Sequence, residues 1–159
     1  MNPHEKVIAR DRDHLLQLIE EAFEEEGENC DLNFIDVSQV TDMHDLFADR
    51  GFRGNISEWN VSNVETMAGM FRESLFDGDI SNWDVSNVTN MNAMFSGTPF
   101  NGDVSNWDVH NVTNMILMFE QSQFNGDISK WNVSKMANVG YMFENSVLEK
   151  AGEIPAWYK

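Results

Sequence analysis

The chain has a single cysteine and few positive charges. Cys30 is its single cysteine, so no internal disulfide can form, and this agrees with a reducing compartment. Ten lysines and arginines stand against 27 aspartates and glutamates, which gives a formal net charge of −17. Such a chain repels phosphate backbones and anionic lipid surfaces. We therefore expect no direct binding of nucleic acid.

No apolar segment is long enough to span a bilayer. The sequence contains no uninterrupted apolar run of about 18 residues, which is roughly what a membrane-spanning helix requires. Residues 1–6 also lack the charged and then apolar pattern of a secretion signal. We expect no membrane insertion and a cytoplasmic location.

Motifs for catalysis and cofactor binding are missing as well. The four histidines lie at unrelated positions without metal-ligand spacing. No glycine-rich phosphate loop, zinc pair or nucleophile elbow is present. Cys30 stands where later segments have glycine, which favours a small buried residue over a nucleophile. The sequence predicts no enzymatic activity, no cofactor and no resident metal.

What the sequence does have is an internal repeat of 24 residues. Tryptophan recurs at this interval, as do two series of phenylalanines, two of methionines and one of glycines. The tryptophans are Trp59, Trp83, Trp107 and Trp131, and the first phenylalanine series is Phe47, Phe71, Phe95, Phe119 and Phe143. A period of this length indicates a solenoid or an array of stacked units. The aromatic and methionine series are interpreted as ladders in the core.

Each unit is interpreted as a turn, a short strand and a short helical turn. Asp77-Gly78 is a turn signal, because glycine accepts a positive φ. Trp83 and Val85 alternate with polar neighbours, which favours a strand with both side chains on one face. The apolar residues of 88–95 are spaced three and four apart, as on one face of a helix.

A unit this short cannot bury its apolar face alone, so neighbouring units must stack. The sequence therefore predicts an α/β repeat solenoid in a single domain. Its N-terminal helical cap is expected over 1–31, five 24-residue rungs over 32–147, and a C-terminal cap over 148–159. The predicted strand centres are Ile35, Trp59, Trp83, Trp107 and Trp131.

The two ends differ from the repeat in a way that suits caps. Residues 11–26 predict an amphipathic helix, with Asp11 or Asp13 as its N-cap and Gly27 at its end. Its apolar face consists of Leu15, Leu18, Ile19, Ala22 and Phe23. At the other end, Ile154, Pro155, Trp157 and Tyr158 are expected to cover the last rung.

The unit Phe-Asn-Gly-Asp-Ile-Ser-x-Trp-Asp/Asn-Val-Ser-Asn-Val-Thr-Asn-Met-x-x-Met-Phe resembles the repeat of the BspA-like leucine-rich-repeat proteins, a domain of unknown function labelled "surface protein". Residues 124–143 and 76–95 match it nearly throughout, and residues 7–15 and 31–38 look like the family's N-terminal cap. The resemblance implies a right-handed leucine-rich-repeat superhelix used for adhesion or protein interaction. It also makes the cell surface the alternative location.

The resemblance implies that the concave sheet meets a partner. The outward strand positions that we select are Phe34, Asp36, Asn60, Asn82, Asp84, Asn106 and Asp108. Being mostly acidic or neutral, they would favour a partner with a basic or amide-rich patch. A helical cap lying over Phe34 explains that residue equally well. A second candidate is an exposed apolar spot on the convex side, formed by Ile116, Leu117 and Tyr141.

Two series of aspartates repel one another along the stack. Asp79, Asp103 and Asp127 share one register, and Asp36, Asp84 and Asp108 share another. Hydrogen bonds from backbone amides would offset this repulsion, and so would a weak calcium site. We favour the hydrogen bonds, because Asn55 and Asn60 replace aspartate in these registers and a metal site tolerates such replacement poorly.

These observations favour a non-catalytic module that binds a protein partner, and we expect a monomer. The alternative is an acidic nucleic-acid mimic that blocks a DNA-binding protein, since carboxylates in regular rows imitate phosphates.

Overall fold

The computed structural model describes residues 5–158, and regular elements make up a small part of it. They are β1 (Val7–Ile8), α1 (Arg12–Glu26), β2 (Ile35–Asp36) and α2 (Val147–Ala151). Strand β1 pairs with β2 in parallel, with Val7 opposite Ile35. Neither helix in the described residues has the length and apolar character needed to cross a bilayer.

Helix α1 begins and ends where the sequence signals indicate. The Asp11 side chain accepts a hydrogen bond of 2.8 Å from the backbone N–H of His14, which satisfies one free amide of the first turn. Gly27 ends the helix with a φ of 84°, and its N–H bonds the Phe23 carbonyl. The buried side chains are Leu15, Leu18, Ile19 and Ala22. The predicted apolar face therefore packs on the core.

Successive units are joined by a ladder of backbone hydrogen bonds. We name the residues that form it the ladder segments: 42–49, 66–73, 90–97, 114–121 and 138–145. Met43 N–H donates to the Thr66 carbonyl at 3.0 Å, and Asp45 N–H donates to the Ala68 carbonyl at 2.9 Å. The same bonds recur from each ladder segment to the next, and isolated parallel bridges join Asp42, Thr66, Asn90, Asn114 and Asn138.

The ladder segments correct one prediction, because residues 88–95 form no helix. The alternate N–H groups that do not reach the next unit close local turns, as Met94 N–H does with the Met91 carbonyl. Two positions of each segment have a positive φ, for example Ala93 at 52° and Gly97 at 68°. These left-handed residues interrupt any helix and turn alternate N–H groups toward the next unit. Apolar residues spaced three and four apart fit this turn conformation as well as they fit a helix.

The predicted strands at the tryptophans are also wrong. Around Trp83 the chain forms a turn, in which the Trp83 N–H donates to the Ile80 carbonyl at 3.2 Å. Contact with the preceding unit is made by the side chain, whose indole Nε1–H donates to the Ile56 carbonyl at 3.2 Å. Trp59, Trp107 and Trp131 repeat this arrangement with Leu32, Ile80 and Val104. Of the five predicted strand centres, only Ile35 lies in a strand.

The core consists of aromatic stacks that run from unit to unit, which confirms their prediction as core ladders. Phe71 and Phe95 stack with ring centroids 5.7 Å apart, and Phe76 and Phe100 stack at 6.1 Å. Every phenylalanine of these two series is buried, and the repeat tryptophans are only 4% exposed. The glycine register is required by this packing, since a Cβ at Gly78 would lie 2.7 Å from the Phe76 ring.

The C-terminal residues continue the aromatic stacks. Trp157 stacks on Trp131 with centroids 6.4 Å apart, and its Nε1–H donates to the Ile128 carbonyl at 2.8 Å. Tyr158 packs edge-on against Phe143 at 5.1 Å. Helix α2 precedes them, capped by Ser146 and ended by Gly152. Among the residues expected to cover the last unit, Trp157 therefore makes the same indole-to-carbonyl bond as the tryptophans of the repeat.

Candidate protein-interaction surface

The aspartates of the repeat are held in tight turns by their own neighbours. Asp79 Oδ1 accepts hydrogen bonds from the Ser81 backbone N–H at 3.0 Å and from the Ser81 hydroxyl at 2.7 Å. Asp84 makes the same pair of bonds with Ser86, at 3.0 and 2.6 Å. The predicted backbone hydrogen bonds of Asp79, Asp103 and Asp127 are confirmed by their bonds to Ser81, Ser105 and Ser129.

These bonds set the charge state of the rows. The serine hydroxyl that donates to Asp79 lowers the pKa of this carboxyl, and the backbone N–H of Ser81 lowers it further. The pKa of Asp84 is lowered in the same way by Ser86, and that of Asp108 by the His110 side chain. Because all three side chains are exposed, the rows present fixed negative charges to solvent at neutral pH.

We define the polar face by the residues selected from the sequence that the structure leaves open to solvent. Asn60, Asn82, Asp84, Asn106 and Asp108 are exposed, and Asp36 is half-buried. Cross-unit bonds fix the backbone beside them, as when Asn87 Nδ2 donates to the Ser62 carbonyl at 2.7 Å. The polar face is therefore an array of short side chains on a hydrogen-bonded frame.

A shallow cavity lies at the N-terminal end of the polar face. It has a volume of about 250 Å³ and is lined by Lys6, Asp36, Ser38, Glu58 and Asn60, among others. Two carboxylates, one ammonium group and an amide thus converge on one concave spot. Such a depression suits a polar side chain of a partner better than a flat surface does.

Phe34 does not belong to the polar face. Its side chain is half-buried and packs against the core. Its carbonyl accepts a hydrogen bond of 3.0 Å from Val7 N–H, beside strand β1. Packing on the core therefore accounts for the Phe34 side chain without a partner.

The predicted apolar spot is only partly exposed. Tyr141 is 67% exposed, but Ile116 and Leu117 are half-buried. The sequence analysis missed Met136, which is 83% exposed. Met136 stands in the register of Val40, Val64, Val88 and Val112, all of them buried, so the repeat pattern alone placed it in the core.

Side chains of the metal-ligating types are spread through the described part of the chain. Among residues 5–158, no cluster of three or more His, Cys, Asp or Glu side chains is arranged to hold a metal ion. Cys30 is buried, and burial raises the pKa of its thiol. A raised pKa leaves this thiol protonated and weakly nucleophilic.

The stacked 24-residue units define a repeat-containing protein. A family model described as "Mycoplasma protein of unknown function, DUF285" matches the chain twice, over residues 17–99 and over residues 75–157. The chain belongs to this family. No curated protein and no solved structure matches it.

Proposed function

We propose that the chain is a right-handed solenoid of the BspA-like leucine-rich-repeat type that binds a protein partner through the polar face. The observation that carries this proposal is that three exposed side chains of the polar face, Asn60, Asp84 and Asp108, are each held by a hydrogen bond from the backbone N–H two residues later. A surface ordered before binding loses little side-chain entropy when a partner docks.

The chemistry of the polar face selects the kind of partner. Asp84 and Asp108 carry negative charge, whereas Asn60, Asn82 and Asn106 offer amides that both donate and accept. Lysine or arginine side chains of a partner would pair with the carboxylates, and its backbone or amide groups would pair with the asparagines. With a net charge of −17 the chain also attracts a basic protein over long range, at rates that fall with salt.

The experiment compares charge reversal on the polar face with charge reversal elsewhere. The chain is immobilised, proteins of the native host are captured, and the captured partner is identified by mass spectrometry and purified. Its Kd is then measured for the wild type, for Asp84→Lys with Asp108→Lys, and for Glu21→Lys with Glu24→Lys on helix α1. Glu21 and Glu24 are exposed, so the second pair changes the net charge equally at another place.

We expect the polar-face pair to weaken binding by at least about 100-fold, as loss and inversion of two interfacial charges does. The α1 pair should change the Kd several-fold at most. Asp84→Asn with Asp108→Asn keeps the acceptor oxygens of the turns and separates charge from turn geometry. Equal binding by the lysine variants, or capture destroyed by Ile116→Asp and Leu117→Asp instead, contradicts the proposal. If the partner is a DNA-binding protein and duplex DNA competes for the site, the mimic interpretation replaces it.

A further inference from the structure

The ladder has a polarity that leaves one edge with donors only. Each ladder segment donates alternate N–H groups to the next unit and accepts with its carbonyls from the previous one. The last ladder segment, 138–145, accepts in this way through Asn138, Gly140 and Met142. Within residues 5–158, the N–H groups of Val139, Tyr141 and Phe143 have no hydrogen-bond acceptor. Phe143 is buried against Trp157 and Tyr158, whereas Val139 is half-buried and Tyr141 is exposed. We name the N–H groups of Val139 and Tyr141 the donor edge.

The fourth N–H in this row shows which kind of acceptor binds there. Asn145 N–H, which is equivalent to Gln121 N–H in the preceding unit, donates to the Glu149 carboxylate at 2.6 Å. At the opposite end of the stack, the Arg12 guanidinium donates to the His44 carbonyl at 2.8 Å. Parallel peptide dipoles place partial positive charge at the donor edge and partial negative charge at the carbonyl edge. Glu149 thus lies at the positive end of the stack and Arg12 at the negative end, where each charge is favoured.

The surroundings of the donor edge are apolar. Met136 and Tyr141 are 83% and 67% exposed. A cavity of about 560 Å³ is lined by Met136, Ala137, Asn138, Val139, Gly140 and Tyr158. Met136 is turned outward because the local turn is displaced by one residue: Ala137 N–H bonds the Ser134 carbonyl, whereas Val112 N–H bonds the Val109 carbonyl one unit earlier.

The charge around the donor edge differs from that of the rest of the molecule. Residues 130–158 contain three lysines (130, 135 and 150) and three glutamates (144, 149 and 153), so their net charge is zero. Residues 1–129 carry a formal net charge of −18, so the acidity of the chain lies before residue 130. A partner at the donor edge is not selected by charge, so backbone acceptors and apolar side chains decide its fit.

We propose that the donor edge binds a peptide segment of a partner protein that runs alongside the last ladder segment. The segment contributes backbone carbonyls to the N–H groups of Val139 and Tyr141, and it places apolar side chains against Met136 and Tyr141. Open sheet edges bind peptides by strand addition, in which both N–H and carbonyl groups of the edge take part. Here the edge contributes only N–H groups. A symmetric pair of copies does not fit, because both edges would present donors.

The experiment uses a synthetic peptide of residues 90–98 of this chain, blocked at both ends. In the protein these residues supply the carbonyls of Asn90, Asn92 and Met94 to the donors of the previous unit. Added to the full chain, the peptide should shift the amide NMR signals of Val139 and Tyr141 in a saturable way. Exchange of these amides should slow about twofold when the free peptide concentration equals its Kd.

Two exposed positions test the apolar contribution. Met136→Ser and Tyr141→Asn should each weaken the peptide about tenfold, the effect expected from removing an apolar side chain from a contact. Asparagine is chosen at 141 because it tolerates the φ of 54° found there. The matched control is Leu75→Ser, which removes another exposed apolar side chain far along the repeat and should leave the Kd unchanged.

Three results would overturn this proposal. One is the absence of shifts at the amides of Val139 and Tyr141 with millimolar peptide. Another is equal binding of a peptide with the same residues in reverse order. The third is a shift of these amides with protein concentration alone, which would identify a second copy as the occupant. A failure here leaves the polar face untouched, because the two sites share no residue.

Discussion

At the scale of single residues, the tryptophans show how one side chain can join two units. Trp83 is nearly buried, and its indole N–H reaches a carbonyl 27 residues earlier at 3.2 Å. The Ile56 carbonyl lies outside any helix or strand and also accepts from Trp59 N–H at 3.2 Å, so the indole is its second donor. The side chain therefore contributes apolar burial and a second hydrogen bond to a buried carbonyl.

We expect Trp83→Ala to lower the free energy of unfolding by about 3–5 kcal/mol, because it leaves a large cavity between two units. Trp83→Phe keeps most of the apolar volume and removes only the indole donor, so its cost should be smaller, about 1–3 kcal/mol. Urea unfolding followed by circular dichroism measures both variants. A loss below about 1 kcal/mol for the alanine variant would contradict the burial described here.

The aspartate turns give a second test at this scale. The pKa of Asp79 in the folded protein lies below the 3.8 of an ordinary aspartate, chiefly because Ser81 donates to it. Ser81→Ala should therefore raise the pKa of Asp79 toward that value, and Ser105→Ala should do the same for Asp103. Carboxyl NMR titration measures each pKa. Ser57→Ala, beside the uncharged Asn55, is the control and should leave these values unchanged.

The sign of the pH dependence follows from the direction of the shift. A carboxyl whose pKa is lowered by folding stabilises the folded state when it is ionised. This contribution is present above the ordinary aspartate value of 3.8, and it is lost as the pH falls from there through the lower folded value. In the Ser81→Ala variant this loss should be smaller, and an unchanged pKa of Asp79 would contradict the hydrogen bond.

At the scale of elements, the sequence predicted α1 closely but misassigned the repeat unit. Helix α1 has an N-cap, a terminal glycine and a long apolar face, which are independent local signals for the same structure. The ladder segments have only the spacing of their apolar residues. That spacing fits a helical turn and also fits a backbone in which every fourth residue is left-handed. Only the contact with the next unit decides between them.

The left-handed positions provide a test of this reassignment. Ala93 has a φ of 52°, a conformation that costs alanine about 1–2 kcal/mol relative to glycine. Ala48, in another ladder segment, is not among the residues with positive φ. Ala48→Gly should therefore destabilise the protein by about 1 kcal/mol more than Ala93→Gly, as measured by urea unfolding. Equal losses would favour a helical turn at 88–95.

The candidate sites were predictable to different extents for the same reason. The exposed members of the polar face were found, because their register alternates with buried positions along the unit. Met136 was missed, because its exposure depends on the turn displacement in the last unit. Ile116 and Leu117 are half-buried within their own ladder segment, which their apolar character did not reveal. The donor edge was invisible in the sequence, since it consists of backbone N–H groups whose partners are set by the stack.

At the scale of the whole molecule, acidity is the dominant property. The negative charge is distributed along successive units, and each row carboxylate already accepts bonds from its own turn. Addition of NaCl should raise the Tm, because salt screens the repulsion among these charges. The repeat itself gives no reason for a specific response to a divalent cation.

Calcium should therefore act only through ionic strength. At matched ionic strength, we expect the Tm in millimolar CaCl₂ to equal the Tm in NaCl, as measured by differential scanning calorimetry. A specific site would instead raise the Tm by linkage as the calcium concentration exceeds its Kd. An additional rise that a chelator reverses would show that the aspartate rows hold the ion.

The polarity of the ladder also governs how such a chain can change its length. Each internal unit presents acceptors on one side and donors on the other, so a copied block of 24 residues inserted between two units would meet a matching edge on both sides. A block one residue longer or shorter would move the donors out of register with the carbonyls they bond, and it would misplace the rings of the aromatic stacks. Duplication in whole units is therefore the route by which this architecture can be extended or shortened, in evolution and in engineering alike.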